Sequence, residues 1–332
     1  MRQSSRELNE EDVRVRARGG SRPRTRDRPN HANAQVAMVT AVNRGRYLCL
    51  MGGRTIVAMK ARELGRGSIV VGDRVALVGD LTGQPDTLAR VVRVQSRTTV
   101  LRRTADDTDP SERVVVANAD QMVIVAALAD PAPQLRLIDR CLVAAYDAGL
   151  DPLLCLTKAD LAVADETLSY YAPLGLRSVV SRFDRFDDAE AGLGTLHQCL
   201  RGRCSVLVGS SGVGKSTLVN QLVPEAARAV GSVNPVTGRG RHVSSSASAL
   251  PLAEGWLIDT PGVRSFGLAH IDPESIVAAF PDLEPAIDEC PASCAHMPEN
   301  ECALDAWRAA GRVDSVRVDS LRRLLVSRAG AD

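Results

Sequence analysis

The chain has 332 residues, is 45% hydrophobic and carries a formal net charge of +1. That is material for two or three domains with real cores, and the near-neutral total says little about partners. No run of about 20 apolar residues occurs, which excludes a membrane-spanning helix. The N-terminus is charged from its first residues and lacks the apolar region of a signal peptide, so a cytoplasmic location is expected.

Residues 1–33 are expected to form a basic, disordered tail. Within it, residues 14–28 hold seven arginines and one aspartate without apolar periodicity. Such a segment suits either a solubilising tail or an arm laid along a nucleic-acid backbone. Lysine is scarce by contrast: only Lys60, Lys158 and Lys215 occur.

Residues 34–104 contain five short strand candidates, AQVAMVTAV, RYLCLM, TIVAMKA, DRVALVG and ARVVRVQ, separated by Gly- and Asn-containing turns. Five strands in so short a span predict a small barrel of OB type, and an SH3-like barrel fits nearly as well. Residues 104–112, TADDTDPSE, read as a linker.

From about 113 the pattern becomes α/β, and a domain is expected over 113–269. QMVIVAAL (121–128) is a near-continuous apolar run, as expected for a parallel strand buried on both faces. A helix is predicted over about 133–148, strands over 152–156, 178–181, 205–208 and 256–258, and a helix from near Lys215. The alternation predicts a doubly wound sheet with ligand loops at the strand C-termini.

Residues 209–216, GSSGVGKS, match the phosphate-loop pattern in full, between a strand and a helix. Gly209, Gly212 and Gly214 allow backbone N–H groups to converge on phosphates, with Ser210, Ser211, Val213 and Thr217 completing the lining. Lys215 is placed to reach the β and γ phosphates, and Ser216 to ligate Mg²⁺. The motif alone leaves ATP and GTP open. Thr157, Lys158 and Asp160 of TKAD (157–160) resemble the guanine-reading motif of GTPases. A carboxylate buried at Asp160 discriminates by accepting from guanine N1 and the 2-amino group, a donor pair that adenine lacks. DTPG (259–262) resembles the magnesium motif, with Asp259 holding Mg²⁺ through a water and the Gly262 N–H sensing the γ phosphate. Val263 follows, where many GTPases carry a water-orienting glutamine. His242 is the candidate to position water instead, and a surface loop histidine is the plain alternative.

TKAD precedes the phosphate loop, and DTPG follows it. Ordinary small GTPases place TKAD last, so the order describes a circularly permuted GTPase domain. DTPG then leads straight into residues 270–332, which nucleotide state is placed to move as a lever. That segment reads as a mostly helical zinc-binding domain. Its Cys290, Cys294, His296 and Cys302 supply the three thiolates and one imidazole of a closed structural zinc site, one ion per chain.

Barrel, permuted GTPase and Cys/His segment together resemble the ribosome small-subunit-dependent GTPase A family (RsgA) over essentially the whole chain. The resemblance implies a monomeric GTP hydrolase that uses Mg²⁺ and acts in late maturation of the small ribosomal subunit, binding it and its rRNA. It also implies that Ser181 lies in the base-side loop and that Lys215 and His242 serve catalysis. A nucleotide-switched RNA-binding protein with little turnover is the alternative. The sequence departs from the family pattern at three places. His242 is followed by Val243-Ser244 rather than two threonines, so the switch magnesium ligand falls among Ser244, Ser245 and Ser246. The first cysteine spacing is one residue short. Tyrosines are absent after Arg317.

Overall fold

The computed structural model describes residues 31–65, 67–103, 113–182, 186–224, 247–260, 268, 271–298 and 301–329, with 186–191 in backbone only. The tail, the 104–112 run, His242, Ser244, Ser245, Ser246, Gly262 and Val263 lie outside the described residues.

The five N-terminal strands form as their alternation predicts: β1 (Gln35–Asn43), β2 (Arg46–Met51), β3 (Arg54–Lys60), β4 (Arg74–Gly79) and β5 (Ala89–Val94). They pair in the order β1-β2-β3-β5-β4, and β4 returns to β1, closing a barrel. Inward residues such as Val39, Cys49, Ile56, Val75, Leu77 and Val91 fill it and are fully buried. Beneath it, Asp73 accepts from Arg97 Nε at 2.7 Å and from the Val70 N–H at 2.8 Å.

Strand β6 (Val100–Arg103) pairs antiparallel with β7 (Arg113–Ala117), a two-stranded ribbon that brackets the 104–112 run. The ribbon packs closely on the barrel at Gly72. A Cβ there would sit 1.9 Å from the Ala117 carbonyl oxygen, so only glycine fits.

The α/β sheet follows, from β8 (Gln121–Ala127), β9 (Asp151–Thr157), β10 (Arg177–Val180), β11 (Arg203–Val208), β12 (Ser248–Leu252) and β13 (Gly255–Asp259). Its order is β10-β9-β8-β11-β13-β12, parallel except for β12, and a single Ala41–Ser248 bridge joins it to β1. Every residue of β8 is buried. Met122, Ile124 and Ala126 enter one core, and Val123, Val125 and Ala127 enter the other. That explains the unbroken apolar run: both faces are covered. On the first face lies α1 (Leu135–Asp147), whose Ile138, Cys141, Leu142 and Ala145 repeat at helical spacing. On the second lie α3 (Phe186–Leu200) and α4 (Lys215–Leu222), through Leu196, Leu200, Leu218 and Leu222. A short α2 (Asp165–Tyr171) precedes β10.

The C-terminal segment is helical: α5 (Pro273–Val277), α6 (Glu284–Ile287), α7 (Ala303–Ala309) and α8 (Ser315–Ala329). Val318, Leu321, Leu324 and Leu325 of α8 share one continuous core with α1. The contact is also polar. Arg140 of α1 donates to the Ser327 carbonyl at 3.2 Å, and Arg323 Nε lies 3.1 Å from the buried Asp139 carboxylate. Burial pushes the Asp139 carboxyl up to about 6, against the opposing pull of Arg323.

Candidate nucleotide site and metal cluster

Strands β8, β9, β11 and β13 are parallel, so their C-terminal ends meet along one sheet edge. Motifs 102 residues apart in the chain, Thr157 to Asp259, are thereby brought to neighbouring strand ends. The phosphate loop leaves β11 and enters α4 with Gly214 as the N-cap at φ 93°. Gly209 is equally constrained, since its Cβ would meet the Val125 carbonyl oxygen at 2.3 Å. The loop therefore runs hard against β8 and aims the α4 N-terminus outward, an anion-binding arrangement.

Lys215 is buried, and its Nζ donates to the carbonyls of Gly209 at 2.6 Å and Ser210 at 2.7 Å. Burial lowers its pKa, and nearby Asp259 partly opposes this. Asp259 shows the mirror effect: burial raises its pKa and Lys215 pulls it down. Two partly desolvated opposite charges thus lie close together at this end of the sheet. Thr260 pins the start of DTPG by donating to the Leu207 carbonyl at 2.6 Å. Ser211, Ser216 and Thr217 are exposed, with Ser216 and Thr217 in the first turn of α4.

TKAD leaves β9. Thr157 is fully buried, and its Oγ1 donates to the Val213 carbonyl at 2.6 Å. One hydroxyl therefore ties the base-side loop to the phosphate loop across 56 residues of sequence. Lys158 sits at φ 58°, and its Nζ donates to the Asp130 carbonyl in the bend that follows β8. Asp160 differs from the sequence expectation: it is exposed in the chain alone. Ser181 adjoins the loop through its backbone, accepting from the Ala159 N–H at 3.4 Å, while its hydroxyl is buried without a hydrogen-bond partner among the described residues. The backbone of Ser181, rather than its hydroxyl, is what faces the loop.

The second cluster lies in the C-terminal segment. Ligand atoms of Cys290, Cys294, His296 and Cys302 all lie within 4.8 Å of one another. A tetrahedron with arms of ~2.3 Å spans roughly 3.8 Å along each edge, so a small inward movement closes it. His296 Nδ1 is buried with no hydrogen-bond partner among the described residues, the kind of orphan a metal satisfies. Burial, followed by the nearby Arg322, lowers the His296 pKa and favours the neutral imidazole that binds metal. Burial, with the neighbouring Cys302 and Cys290 thiols, pushes the Cys294 thiol up to about 11, against the His296 N–H. Arg322 of α8 surrounds the cluster: it donates to the His296 carbonyl at 2.9 Å, lies 3.7 Å from Cys302 Sγ, and forms a two-point pair with Asp305 at 2.8 Å. The residue fit is that of a closed Cys₃His site, and the one-residue-shorter first spacing still converges.

Sequence reasoning missed Asp130, whose carbonyl holds Lys158, and Arg322. The end of the β8 apolar run was the available signal for the first, and nothing local marked the second.

A family model described as RsgA GTPase matches residues 94–269, more than half the chain. A small ribosomal subunit biogenesis GTPase RsgA 1 of Vibrio vulnificus (strain YJ016) is 36% identical over 271 residues, covering 79% of this chain and 75% of that protein. The chain belongs to the RsgA GTPase family. A small ribosomal subunit biogenesis GTPase RsgA of Pseudomonas savastanoi pv. phaseolicola is 38% identical over 268 residues, covering 78% and 75%. The fold is also that of YloQ, a circularly permuted GTPase, at TM-score 0.63 and 20% identity over 92% of this chain and 98% of that one. YjeQ from Thermotoga maritima matches at TM-score 0.60 and 24% identity over 90% and 99%. Family membership accounts for the motif order, with TKAD ahead of the phosphate loop on an otherwise ordinary parallel edge. Among the described residues, no helix is long and apolar enough to cross a membrane.

Proposed function

We propose that this chain binds GTP with Mg²⁺ at the 209–217 loop, hydrolyses it to GDP and phosphate, and acts on the small ribosomal subunit and its rRNA during late maturation. The observation that carries the nucleotide reading is the convergence of Thr157, Lys215 and Asp259 on one sheet edge, with Thr157 bonded directly to the phosphate loop. The ribosomal part rests on family membership and on the names of the relatives.

Each residue has a separable task. The α4 N-terminus and the Lys215 ammonium draw in the polyphosphate. As it arrives, Lys215 exchanges the Gly209 and Ser210 carbonyls for phosphate oxygens, so its charge stays partnered throughout. Asp160 selects guanine by accepting its N1–H and 2-amino donors. Lys158 lays its stem along the base while its head stays on Asp130. Ser216 and Asp259 would hold Mg²⁺, and the ion would supply charge neutralisation to the polyphosphate. Gly262 and His242 retain the roles expected from sequence, γ-phosphate sensing and water positioning. Valine at 263 cannot orient water, which supports slow intrinsic hydrolysis accelerated by a partner. The same residue favours, as a second reading, a switch that turns over little even when bound.

The Cys290, Cys294, His296 and Cys302 cluster fits one structural Zn²⁺, which would cross-link the C-terminal segment. Comparing GDP with ADP by titration tests the base assignment. GDP binding at least 100-fold tighter supports it, and equal affinities end it.

A further inference from the structure

The nucleotide chemistry leaves unused a groove of about 870 Å³ on the C-terminal segment. Helices α5 and α6, the metal-cluster loop and the last turns of α8 line it. Its apolar surface comes from Val277, Ile287, Met297, Leu325 and Val326. Four of these five are partly exposed, so the groove holds apolar surface against water.

The charges around it are one-sided. Glu274, Glu284 and Asp288 line it as exposed carboxylates, and among the described residues none of the three forms an ion pair or a side-chain hydrogen bond. The cation present, Arg328, is committed: its Nε donates to the Ile271 carbonyl at 2.7 Å. Three other carboxylates of this segment are paired: Asp282 with Arg317, Asp305 with Arg322 and Asp319 with Arg308. Three unpaired carboxylates around an apolar trough repel a phosphate backbone and attract lysine and arginine.

We propose that this groove docks a cationic amphipathic segment of a protein partner. Its apolar side chains enter between α5, α6 and α8, and its basic side chains reach Glu274, Glu284 and Asp288. An amphipathic helix laying one face into a groove is an established mode of recognition, and the mixture of apolar lining and acidic rim specifies its composition. The surface gives the C-terminal segment a protein-binding role separate from any RNA contact. It also gives the Cys/His cluster a task, since Cys294 and His296 form part of the groove lining.

The test uses the full-length chain and a fluorescent 14-residue Leu/Lys amphipathic peptide, with a Leu/Glu peptide of the same pattern as control, followed by anisotropy. The Leu/Lys peptide is expected to bind and the control to fail. Two variants locate the site. Glu284→Lys/Asp288→Lys changes only exposed residues, and Val277→Asp places a charge in the trough; each is expected to weaken binding at least tenfold while GDP affinity stays unchanged. A photocrosslinker at the exposed Ala278 should label the peptide. No binding, wild-type affinity in both variants, or equal binding of the Leu/Glu peptide overturns the proposal. So does a 20-nucleotide RNA that displaces the peptide from the crosslinker by binding there itself. None of these outcomes depends on GTP turnover.

Discussion

Thr157→Val isolates the link between the two nucleotide loops. The Thr157 side chain is fully buried, and its Oγ1 donates to the Val213 carbonyl at 2.6 Å. Valine preserves the volume but turns a methyl toward that carbonyl. A buried acceptor left without its donor costs about 1–3 kcal/mol. Val213 immediately precedes the N-cap Gly214, whose Cβ position lies 3.6 Å from Thr157 Oγ1, so any relaxation passes directly to the turn that presents Lys215. Urea unfolding should show a loss of about 1–3 kcal/mol. Affinity for a fluorescent GDP analogue should fall about tenfold, equivalent to about 1.4 kcal/mol of that loss appearing in the bound state. Thr157→Ser keeps the donor and should stay within about threefold of wild type. A neutral Thr157→Val, or a serine variant as impaired as the valine one, refutes the coupling.

The α1–α8 junction carries a pH signature. Because burial raises the Asp139 carboxyl to about 6 in the folded chain, the native state holds an extra proton from roughly pH 4 to 6. Its contribution to stability is therefore most favourable below about pH 4 and declines as pH rises through about 6, by on the order of 2–3 kcal/mol. The stability difference between wild type and Asp139→Asn should fall across that window, and a rise contradicts the burial account. Beneath the barrel, Asp73→Ala strands the Arg97 guanidinium and the Val70 N–H, and should cost about 3 kcal/mol by denaturant titration. An effect under about 0.5 kcal/mol contradicts it. Elemental analysis should find about one zinc per chain, lost in Cys294→Ala with a drop in stability; a zinc-free chain of unchanged stability removes the metal assignment.

Local pattern carried the barrel strands, β8, α1 and the phosphate loop, because alternation, unbroken apolar runs and helical spacing are written within a dozen residues. The motifs single out Thr157, Lys215 and Asp259, and the parallel strands bring them to one end of the sheet. Long-range pairings left no such trace. The β6–β7 ribbon closes across the 104–112 run, so Arg113–Ala117 reads locally as the opening of the α/β domain although it pairs with Val100–Arg103. Strand β12 contains Pro251, which masks it, and the sheet tolerates it antiparallel beside β13. Helices α5 and α6 span five and four residues, too short for a period to show. The C-terminal segment reads as a detachable lever, yet α8 shares its core with α1, and Arg323 and Arg140 reinforce that contact. A nucleotide-driven movement of the segment therefore has to carry α1 along or separate the two helices. Asp160 shows the opposite limit: the TKAD motif marks the residue, but nothing in it tells that the carboxylate is exposed.

The most direct test of the central claim is GTP turnover by the purified chain with and without purified small ribosomal subunits, with ATP and Lys215→Ala as controls. The account predicts slow turnover of GTP alone, at least a tenfold rise with small subunits, no use of ATP, and loss of activity in Lys215→Ala. Unstimulated turnover, together with the absence of salt-sensitive co-sedimentation with the subunit, contradicts it.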